Sequence, residues 1–439
     1  MNKSSLGTKA KSQLIERFLG KKSGVDTSID TSSRLTRQSH VPEKFTRFDA
    51  LPGYEKIIVP KIAANHLGLH NPFFISHDGI AGATTLIEGK EYINFSSYNY
   101  LGLSGHPEVN KAAIDAIERY GTSASASRLV AGERPIQREL EEALAEIYET
   151  ESCIVFVSGH ATNVSTIGYL FGPKDLVIHD TLIHNSVLEG IKLSGATRRS
   201  FPHNDIHALD ILLTEIRTQF ERVLIVVEGH YSMDGDIPDL PLLIDVKRRH
   251  QCFLMVDEAH ALGVLGKTGK GIHEFYNISG KEVDIWMGTL SKTLASCGGY
   301  ICAQNALVEH LKYAAPGFVY SVGISPPLAA SALAALRVML KEPERIARLQ
   351  ANGQTFLQLA QENRINIGTS QGFSILPAIT GSSLKAAKLS GELFKKQINV
   401  QPIIYPAVEE KAARLRFFLS ALHTSEQLEK IIKLLKDSF

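Results

Sequence analysis

Residues 253–263 read FLMVDEAHALG, and the box Asp257-Glu258-Ala259-His260 inside this stretch admits two interpretations. The same four letters occur in nucleic-acid-dependent ATPases, which need a phosphate-binding loop, G-x-x-x-x-G-K-[ST], earlier in the chain. The nearest matches fail this requirement. Gly266-Lys267-Thr268 lies downstream and has an alanine in place of the first glycine, and Gly20-Lys21-Lys22 lacks both the first glycine and the hydroxyl residue. The stretch therefore reads as a buried strand that ends at a carboxylate.

Composition supports the exclusion of a nucleic-acid enzyme. The 439 residues include 47 Lys+Arg and 46 Asp+Glu, for a net charge of +1, whereas nucleic-acid-binding proteins usually carry a clear basic surplus. A content of 44% hydrophobic and 21% charged residues is typical of a globular chain with a large core. We expect one large domain and a smaller one, without a nucleic-acid partner.

The cysteines and the N-terminal residues indicate a cytoplasmic protein. Cys153, Cys252, Cys297 and Cys302 show no spacing typical of a zinc site or a disulfide framework, so we expect no metal. The start, MNKSSLGTKAKSQLIERF, lacks the apolar core of a signal peptide. No apolar run reaches the length of a membrane span.

Composition divides the chain into four parts. Residues 1–45, rich in Ser, Thr, Lys and Arg, are predicted to form a flexible extension rather than a docking helix. An N-terminal segment over 46–100 leads into a large domain over 101–324. Residues 325–439, with short strands and a final helix opened by a Thr424-x-x-Gln427 capping box, are predicted to form a smaller α+β domain.

Short apolar runs in the middle of the chain predict an α/β fold with a mostly parallel sheet. They are CIVFVSG (153–159), LVIHD (176–180), VLIVVEG (223–229), FLMVDE (253–258) and IWMGTLSK (285–292). Their uniform apolarity indicates strands covered on both faces. Ligands of open α/β sheets bind at the carboxyl ends of the strands, where the runs place Gly159, Asp180, Glu228, Asp257 and Lys292.

The chemistry of these strand-end residues suggests pyridoxal phosphate. Lys292 lies among Thr289, Ser291 and small residues, where burial lowers an amine's pKa and makes it nucleophilic toward an aldehyde. The hydroxyls suit a phosphate, as do Gly159 and the helix start that follows it. Asp257 is the candidate carboxylate for the ring nitrogen, and His260 for the phenolic oxygen. Ser232 and His184 complete the candidate set.

Ordered segments along the chain then resemble the α-oxoamine synthases, pyridoxal-phosphate enzymes of fold type I. The matching segments, over roughly residues 45–439, are NFSSYNYLGLSGHP (94–107), GTSASASRLVAGERPIQRELE (121–141), SGHATN (158–163), HDTLIHNSVLEG (179–190), EGHYSMDGDIPDL (228–240), VDEAHALGVLGKTGKG (256–271), GTLSKTLASCGGY (288–300) and ARLRFFLSALHT (413–424). The resemblance implies a large domain with a mostly parallel sheet, a smaller C-terminal α+β domain, and a decarboxylative condensation of serine, glycine or alanine with an acyl-CoA or acyl carrier protein thioester.

The resemblance also implies residue roles. Lys292 is similar to the Schiff-base lysine that also moves the substrate's Cα proton, Asp257 to the ring-nitrogen partner, and His184 to the histidine stacked on the ring. The remaining roles are cofactor contacts from Gly159, His160, Ser232, His260 and Thr289, and substrate contacts from Asn99 and Arg416. Ser321 is similar to a residue that reaches the other subunit's phosphate, which implies a homodimer with shared active sites.

Departures from the family pattern bear on the substrate. His160 replaces an aromatic residue, Ser and Ala replace several glycines in GTSASASR, and Ala407 replaces a threonine of the biotin-pathway member. Ser291, before the lysine, resembles serine palmitoyltransferase and the oxoamine-synthase domains of polyketide pathways. These differences predict a product other than 8-amino-7-oxononanoate. The alternatives are another fold-type-I reaction, such as aldol cleavage or amino transfer, and a non-catalytic partner subunit.

Overall fold

The computed structural model describes residues 41–66, 68 and 71–436. Most of the predicted extension, 1–40, therefore lies outside the described residues. The chain divides into two units, Met1–Gly68 and Leu69–Phe439. The described part of the first unit contains two 3-10 turns, Glu43–Phe45 and Phe48–Ala50, followed by the helix Pro52–His66.

The described part of the second unit is built on thirteen strands. In chain order they are β1 (Thr84–Ile87), β2 (Lys90–Asn94), β3 (Ser152–Phe156), β4 (Leu176–Asp180), β5 (Thr197–Phe201), β6 (Val223–Glu228), β7 (Phe253–Asp257), β8 (Ile285–Thr289), β9 (Gly299–Ala303), β10 (Ile375–Ile379), β11 (Ile398–Asn399), β12 (Gln401–Ile403) and β13 (Arg414–Phe418).

Seven of these strands form the central sheet, in the order β3-β9-β8-β7-β6-β4-β5. The pairs from β8 to β5 are parallel, and β9 is antiparallel to both β3 and β8. Every residue of β6 is buried. Its alternate side chains enter two different apolar clusters, Ile225 and Val227 on one face and Leu224 and Val226 on the other. The uniform apolarity of the run follows from this burial on both faces.

Helices cover both faces of the central sheet and pack around the rest of the unit. They are Pro107–Tyr120, Pro135–Ile147, Gly159–Leu170, Asn185–Ser194, Ile206–Ile216, Leu240–His250, Ile272–Phe275, Asn305–Ala314, Pro316–Val319, Pro326–Lys341, Glu344–Glu362, Ser383–Lys395 and Ser425–Lys436. Shorter turns are the π-helical Arg128–Gly132 and the 3-10 turns Arg217–Gln219, Gly280–Glu282 and Glu410–Ala412. Among the described helices, none is long and apolar enough to cross a bilayer.

Two smaller sheets lie beside the central one. β10, β13 and β12 form an antiparallel sheet, and β13 carries Arg416. β1 and β2 form a hairpin that pairs with β11 through Ile93 and Ile398, so the predicted segment 46–100 shares a sheet with the C-terminal region. Helix Pro326–Lys341 packs on Pro107–Tyr120 and Pro135–Ile147. The predicted domain boundaries at 100/101 and 324/325 stay predictions.

The five predicted central strands are confirmed, each with its polar residue at or just beyond the carboxyl end. Two strands of that sheet were missed. β5 reads TRRSF and lies at an edge, where exposed side chains remove the apolar signal. β9, GYICA, begins at Gly299, the second residue of the double glycine that follows Lys292. The capping box is present, because the Gln427 amide donates to Thr424 Oγ1 (3.4 Å) and the Gln427 side chain accepts from the Thr424 amide (3.1 Å).

Candidate active site

A cavity lies at the carboxyl ends of β6, β7 and β8, as expected for an open α/β sheet. Seven of the predicted site residues line it together, although they are spread over more than a hundred positions of the chain. The lining residues are Gly159, His160, Asn163, His184, Ser186, Glu228, Asp257, Ala259, His260, Met287, Thr289 and Lys292.

Asp257, the last residue of β7, is buried and held rigidly. Its Oδ2 accepts a hydrogen bond from Asn163 Nδ2 at 3.0 Å, and its Oδ1 accepts one from the Ala259 amide at 3.0 Å. Asn163 also donates to Ser186 Oγ at 2.9 Å, so its own position is fixed. A carboxylate fixed in this way can face a protonated ring nitrogen without reorganising.

Lys292 follows β8 and enters the same cavity. Burial lowers the pKa of its amine to about 8, with a further lowering from Arg416, while Asp257 and Glu228 act in the opposite direction. The ammonium lies 5.5 Å from the centre of the Tyr98 ring. A lysine with this pKa presents a substantial fraction of neutral, nucleophilic amine near neutral pH.

Glu228 is a cavity residue that the sequence placed at a strand end but did not assign to the site. It pairs in register with Asp257 on the neighbouring strand. Burial, together with the charge of Asp257, raises the pKa of its carboxyl to about 8. Oε2 accepts from the Ser232 amide at 2.9 Å, whereas Oε1 has no hydrogen-bond partner among the described residues. The carboxyl therefore holds a proton beside Asp257 at neutral pH.

Two histidines in the cavity remain neutral. His184 caps the helix Asn185–Ser194, and its Nδ1 lies 2.7 Å from Ser186 Oγ. Its pKa is lowered by burial and by the positive charge of Lys292, against the effect of Asp257. His260 Nδ1 lies 2.7 Å from the buried Tyr100 hydroxyl, and burial followed by the charge of Lys292 holds its pKa well below the usual range.

The start of helix Gly159–Leu170 forms a cradle for an anion. The first amides of a helix lack acceptors inside it and point outward with a partial positive charge. A Cβ at Gly159 would lie 2.8 Å from Thr289 Oγ1, so only glycine leaves this space free. Thr289 Oγ1 donates to the Gly298 carbonyl at 3.0 Å and faces the same opening.

The predicted substrate residues lie beside the cavity rather than in its lining. Arg416 donates from Nη1 to the Ser232 carbonyl at 2.9 Å, and its Nε has no hydrogen-bond partner among the described residues. Ser232 is buried but does not line the cavity. Asn99 shares a cleft of about 350 Å³ with Lys292. Its side chain bonds the Ala81 carbonyl (3.1 Å) and the Ser104 amide (3.1 Å), which holds a local turn.

Ser321, another predicted site residue, also does not line this cavity within one chain. It is partly exposed, and its hydroxyl contacts the carbonyl of its neighbour Val322 at 3.4 Å. This position fits a residue that acts on another subunit, but the role stays a prediction, as do the other assigned roles.

Asn163, Ser186 and Glu228 are cavity residues that were not assigned from the sequence. Asn163 and Ser186 had a usable signal, because each is polar and buried in the first turns of a helix that follows a strand end. Their function is to hold Asp257 and His184, and only the fold brings these four side chains together.

Pyridoxal phosphate fits the residues of this cavity. The Gly159 cradle suits its phosphate, Asp257 its ring nitrogen and Lys292 its aldehyde. Buried polar atoms that lack a partner among the described residues, Glu228 Oε1 and Asn163 Oδ1, belong to cavity-lining side chains and suit a polar ligand.

Comparisons with known proteins agree with this fit. Residues 90–435 match the family model for class I and II aminotransferases. The 8-amino-7-oxononanoate synthase of Treponema denticola is 37% identical over 360 residues, covering 82% of this chain and 91% of that enzyme.

Solved structures of serine palmitoyltransferases also match this chain. The serine palmitoyltransferase of Sphingomonas wittichii matches with a TM-score of 0.84 and 28% identity, covering 88% of this chain and 97% of that one. A further serine palmitoyltransferase structure, which contains pyridoxal phosphate, matches with a TM-score of 0.84 and 26% identity over 88% of this chain and 97% of that one. The cofactor of the cavity is therefore pyridoxal phosphate.

Proposed function

Because the chain belongs to the class I and II aminotransferase family, and within it to the α-oxoamine synthases, we propose that it condenses glycine, alanine or serine with an acyl thioester of CoA or of an acyl carrier protein. The Cα–acyl bond forms as the thioester C–S bond breaks and the thiol leaves. Loss of the carboxylate as CO₂ and return of a proton to Cα then give an α-amino ketone. The observation that carries the proposal is the Lys292 amine, with a lowered pKa, in one cavity with Asp257.

Lys292 moves the proton at the substrate's Cα. Bound pyridoxal phosphate supplies an electron-accepting ring that stabilises negative charge at this carbon. With a pKa of about 8, the amine of Lys292 is a base matched to neutral pH and returns to the ammonium form after taking the proton. Asp257 holds a positive charge at the ring nitrogen through Oδ1 or Oδ2, both already oriented by Asn163 and the Ala259 amide.

Arg416 binds the carboxylate of the amino acid. Its guanidinium is anchored through Nη1 to the Ser232 carbonyl, and its buried Nε still lacks a hydrogen-bond partner among the described residues. Arginine pairs with a carboxylate through two parallel hydrogen bonds, which fixes the direction of the bond to Cα.

The acyl thioester enters through the cleft beside Lys292. Its walls carry side-chain amides from Asn94 and Asn99 and hydroxyl groups from serines, namely Ser96, Ser104, Ser291 and Ser296. Such a lining suits the amide-rich arm of CoA or of an acyl carrier protein better than a long alkyl chain. Because Ser291 and Ala407 depart from the family pattern, we still predict a product other than 8-amino-7-oxononanoate.

The enzyme acts as a homodimer. Leu129, Val130, Tyr320 and Val322 are exposed apolar residues on two segments joined by the Gly323 amide, which donates to the Ala126 carbonyl at 3.0 Å. A second copy covering this patch would also bring Ser321 to its active site. Light scattering is expected to give twice the chain mass, and Tyr320→Glu to shift the protein toward monomer.

The free thiols of the protein are consistent with a cytoplasmic location. The four cysteines are free, and three of them are buried. Free thiols persist in reducing compartments.

Visible absorbance tests the function. We expect a yellow protein whose band changes on addition of one of glycine, alanine or serine, and CO₂ release that requires both that amino acid and an acyl thioester. Lys292→Ala should abolish turnover, whereas Lys267→Ala, at an exposed lysine, should not. Amino transfer without a thioester would support the aminotransferase alternative. Unchanged activity of an assembly containing Lys292→Ala would support the non-catalytic subunit.

A further inference from the structure

His203 lies between two buried carboxylates next to the active site, and no part of the reaction described above uses it. Its Nδ1 lies 3.0 Å from Asp180 Oδ1, and its Nε2 lies 2.9 Å from Asp236 Oδ2. The Tyr231 ring packs edge-on against the imidazole with 4.5 Å between centres. Two acidic partners at opposite ring nitrogens require both nitrogens to donate, which only the protonated imidazole does.

Asp180 connects His203 to the turn that carries His184. It is the last residue of β4, and its Oδ1 accepts from the Leu182 amide at 2.8 Å. Its backbone carbonyl accepts from the Ile183 amide at 3.2 Å. The residue that follows Ile183 is His184, so the direction of the cavity histidine depends on how Asp180 is held.

Asp236 connects His203 to the loop that receives Arg416. The Asp236 carbonyl accepts from the Tyr231 amide at 2.9 Å, which closes the loop over residues 231–236. The next residue after Tyr231 is Ser232, whose carbonyl accepts from Arg416 Nη1 at 2.9 Å. Arg416 is thus anchored on a loop that is fixed on its far side by the ion pair of Asp236.

The small antiparallel sheet fixes the opposite side of this loop. Arg414 donates to the Met233 carbonyl at 2.9 Å and to Asp234 Oδ1 at 2.6 Å. The loop therefore lies between two cationic side chains, Arg414 on β13 and His203 after β5. Removing one of them leaves the loop with one of these two ion pairs.

We infer that His203 is a positioning residue for the reaction: by bridging Asp180 and Asp236 it fixes both the turn that carries His184 and the loop that anchors Arg416. The inference rests on the proposed function, because it takes Arg416 as the carboxylate-binding residue. The bridge is charged at neutral pH. Burial disfavours the charge, but hydrogen bonds to the two carboxylates outweigh burial and raise the pKa of His203 to about 10.

Two substitutions weaken the bridge, one at its centre and one at its end. His203→Gln keeps a donor but removes the charge and one of the two contacts. Asp236→Asn keeps the shape of the side chain and affects the loop only. Because a small misplacement of a binding group is costly, each should raise the KM for the amino acid by about tenfold, and leave the KM for the acyl thioester within about twofold. The concentration of amino acid that half-saturates the change in the visible band should rise by the same factor.

His250 provides a matched control. It is the last residue of helix Leu240–His250, away from the strand ends of the site, and its Nε2 lies 2.6 Å from Asp210 Oδ1. His250→Gln also breaks a half-buried histidine–aspartate pair, and it should leave both KM values unchanged. An equal loss of kcat in all three variants, with unchanged KM for the amino acid, would assign His203 to stability alone and overturn the inference.

Arg416→Lys separates the two possible failures. If it leaves the KM for the amino acid unchanged, the proposed role of Arg416 is wrong. If it raises that KM while His203→Gln and Asp236→Asn do not, the proposed function stands and the role of His203 is wrong.

Discussion

The lowered pKa of Lys292 predicts how fast the protein takes up its cofactor at different pH values. Only the neutral amine bonds to the aldehyde, and burial lowers the pKa to about 8. The neutral fraction then rises from about 9% at pH 7 to about 91% at pH 9, a roughly tenfold gain. A lysine with the ordinary pKa of about 10.4 would gain about a hundredfold over the same range. Mixing cofactor-free protein with pyridoxal phosphate in a stopped-flow instrument, and following the visible band, distinguishes the two cases.

The neighbouring carboxyl provides an internal check of this reasoning. Glu228 loses its proton as the pH rises through about 8, and the negative charge that it then carries stabilises the ammonium of Lys292. Glu228→Gln removes this charge, so it should move the inflection of the rate to lower pH. Lys292→Ala serves as the blank, since it cannot form the covalent bond. A gain near a hundredfold between pH 7 and pH 9, or an inflection that Glu228→Gln moves upward, would refute the argument that burial controls this amine.

Three further predictions concern charge in the folded protein. Asp257→Asn should retain pyridoxal phosphate by its visible band yet lose at least about 100-fold in kcat, because a neutral amide does not hold the ring nitrogen protonated. Arg128→Leu leaves the buried Glu141 with Lys312 at 3.2 Å as its cationic partner, so it should lower the free energy of unfolding by about 3 kcal/mol. Arg337→Ala at an exposed pair should cost less than about 0.5 kcal/mol, with both variants measured in urea. Because the pKa of His203 is raised to about 10, its ion pairs stabilise the fold fully below pH about 6.5 and lose this effect as the pH rises through about 10. The difference in unfolding free energy between the wild type and His203→Gln should therefore shrink between pH 6 and pH 10.

The strand-end residues were predictable from the sequence because apolar runs and their polar ends are local features. Gly159, Asp257 and Lys292 each follow such a run, and parallel strands bring their carboxyl ends to one edge. The capping box at Thr424 is local in the same way. β5 and the contacts of His203 are not local. Thr197–Phe201 becomes a strand only by pairing with β4. Asp180 and Asp236, which are 56 positions apart, are bridged by His203 and by its neighbour Asn204.

Arg416 shows, for the site, that contacts between distant parts of the chain cannot be predicted from local sequence. The segment ARLRFFLS predicts a short strand, and β13 confirms it. Nothing in the strand's own sequence indicates that the guanidinium bonds the carbonyl of Ser232, because that contact joins β13 to the loop after β6 across 184 positions of the chain. Resemblance to a family supplies the residue's position, and only the fold supplies the loop that supports it.

The two carboxylates at neighbouring strand ends explain why the amine of Lys292 can be neutral at all. Glu228 and Asp257 pair in register, and two negative charges this close would stabilise an ammonium strongly. Asp257 accepts two hydrogen bonds, whereas Glu228 accepts one and is fully buried, so the proton resides on Glu228, whose pKa is raised to about 8. The cavity then presents one negative charge toward the ring nitrogen and a second carboxyl that is neutral. With Glu228 protonated, burial outweighs the remaining attraction to Asp257, and Lys292 becomes a base that works near neutral pH.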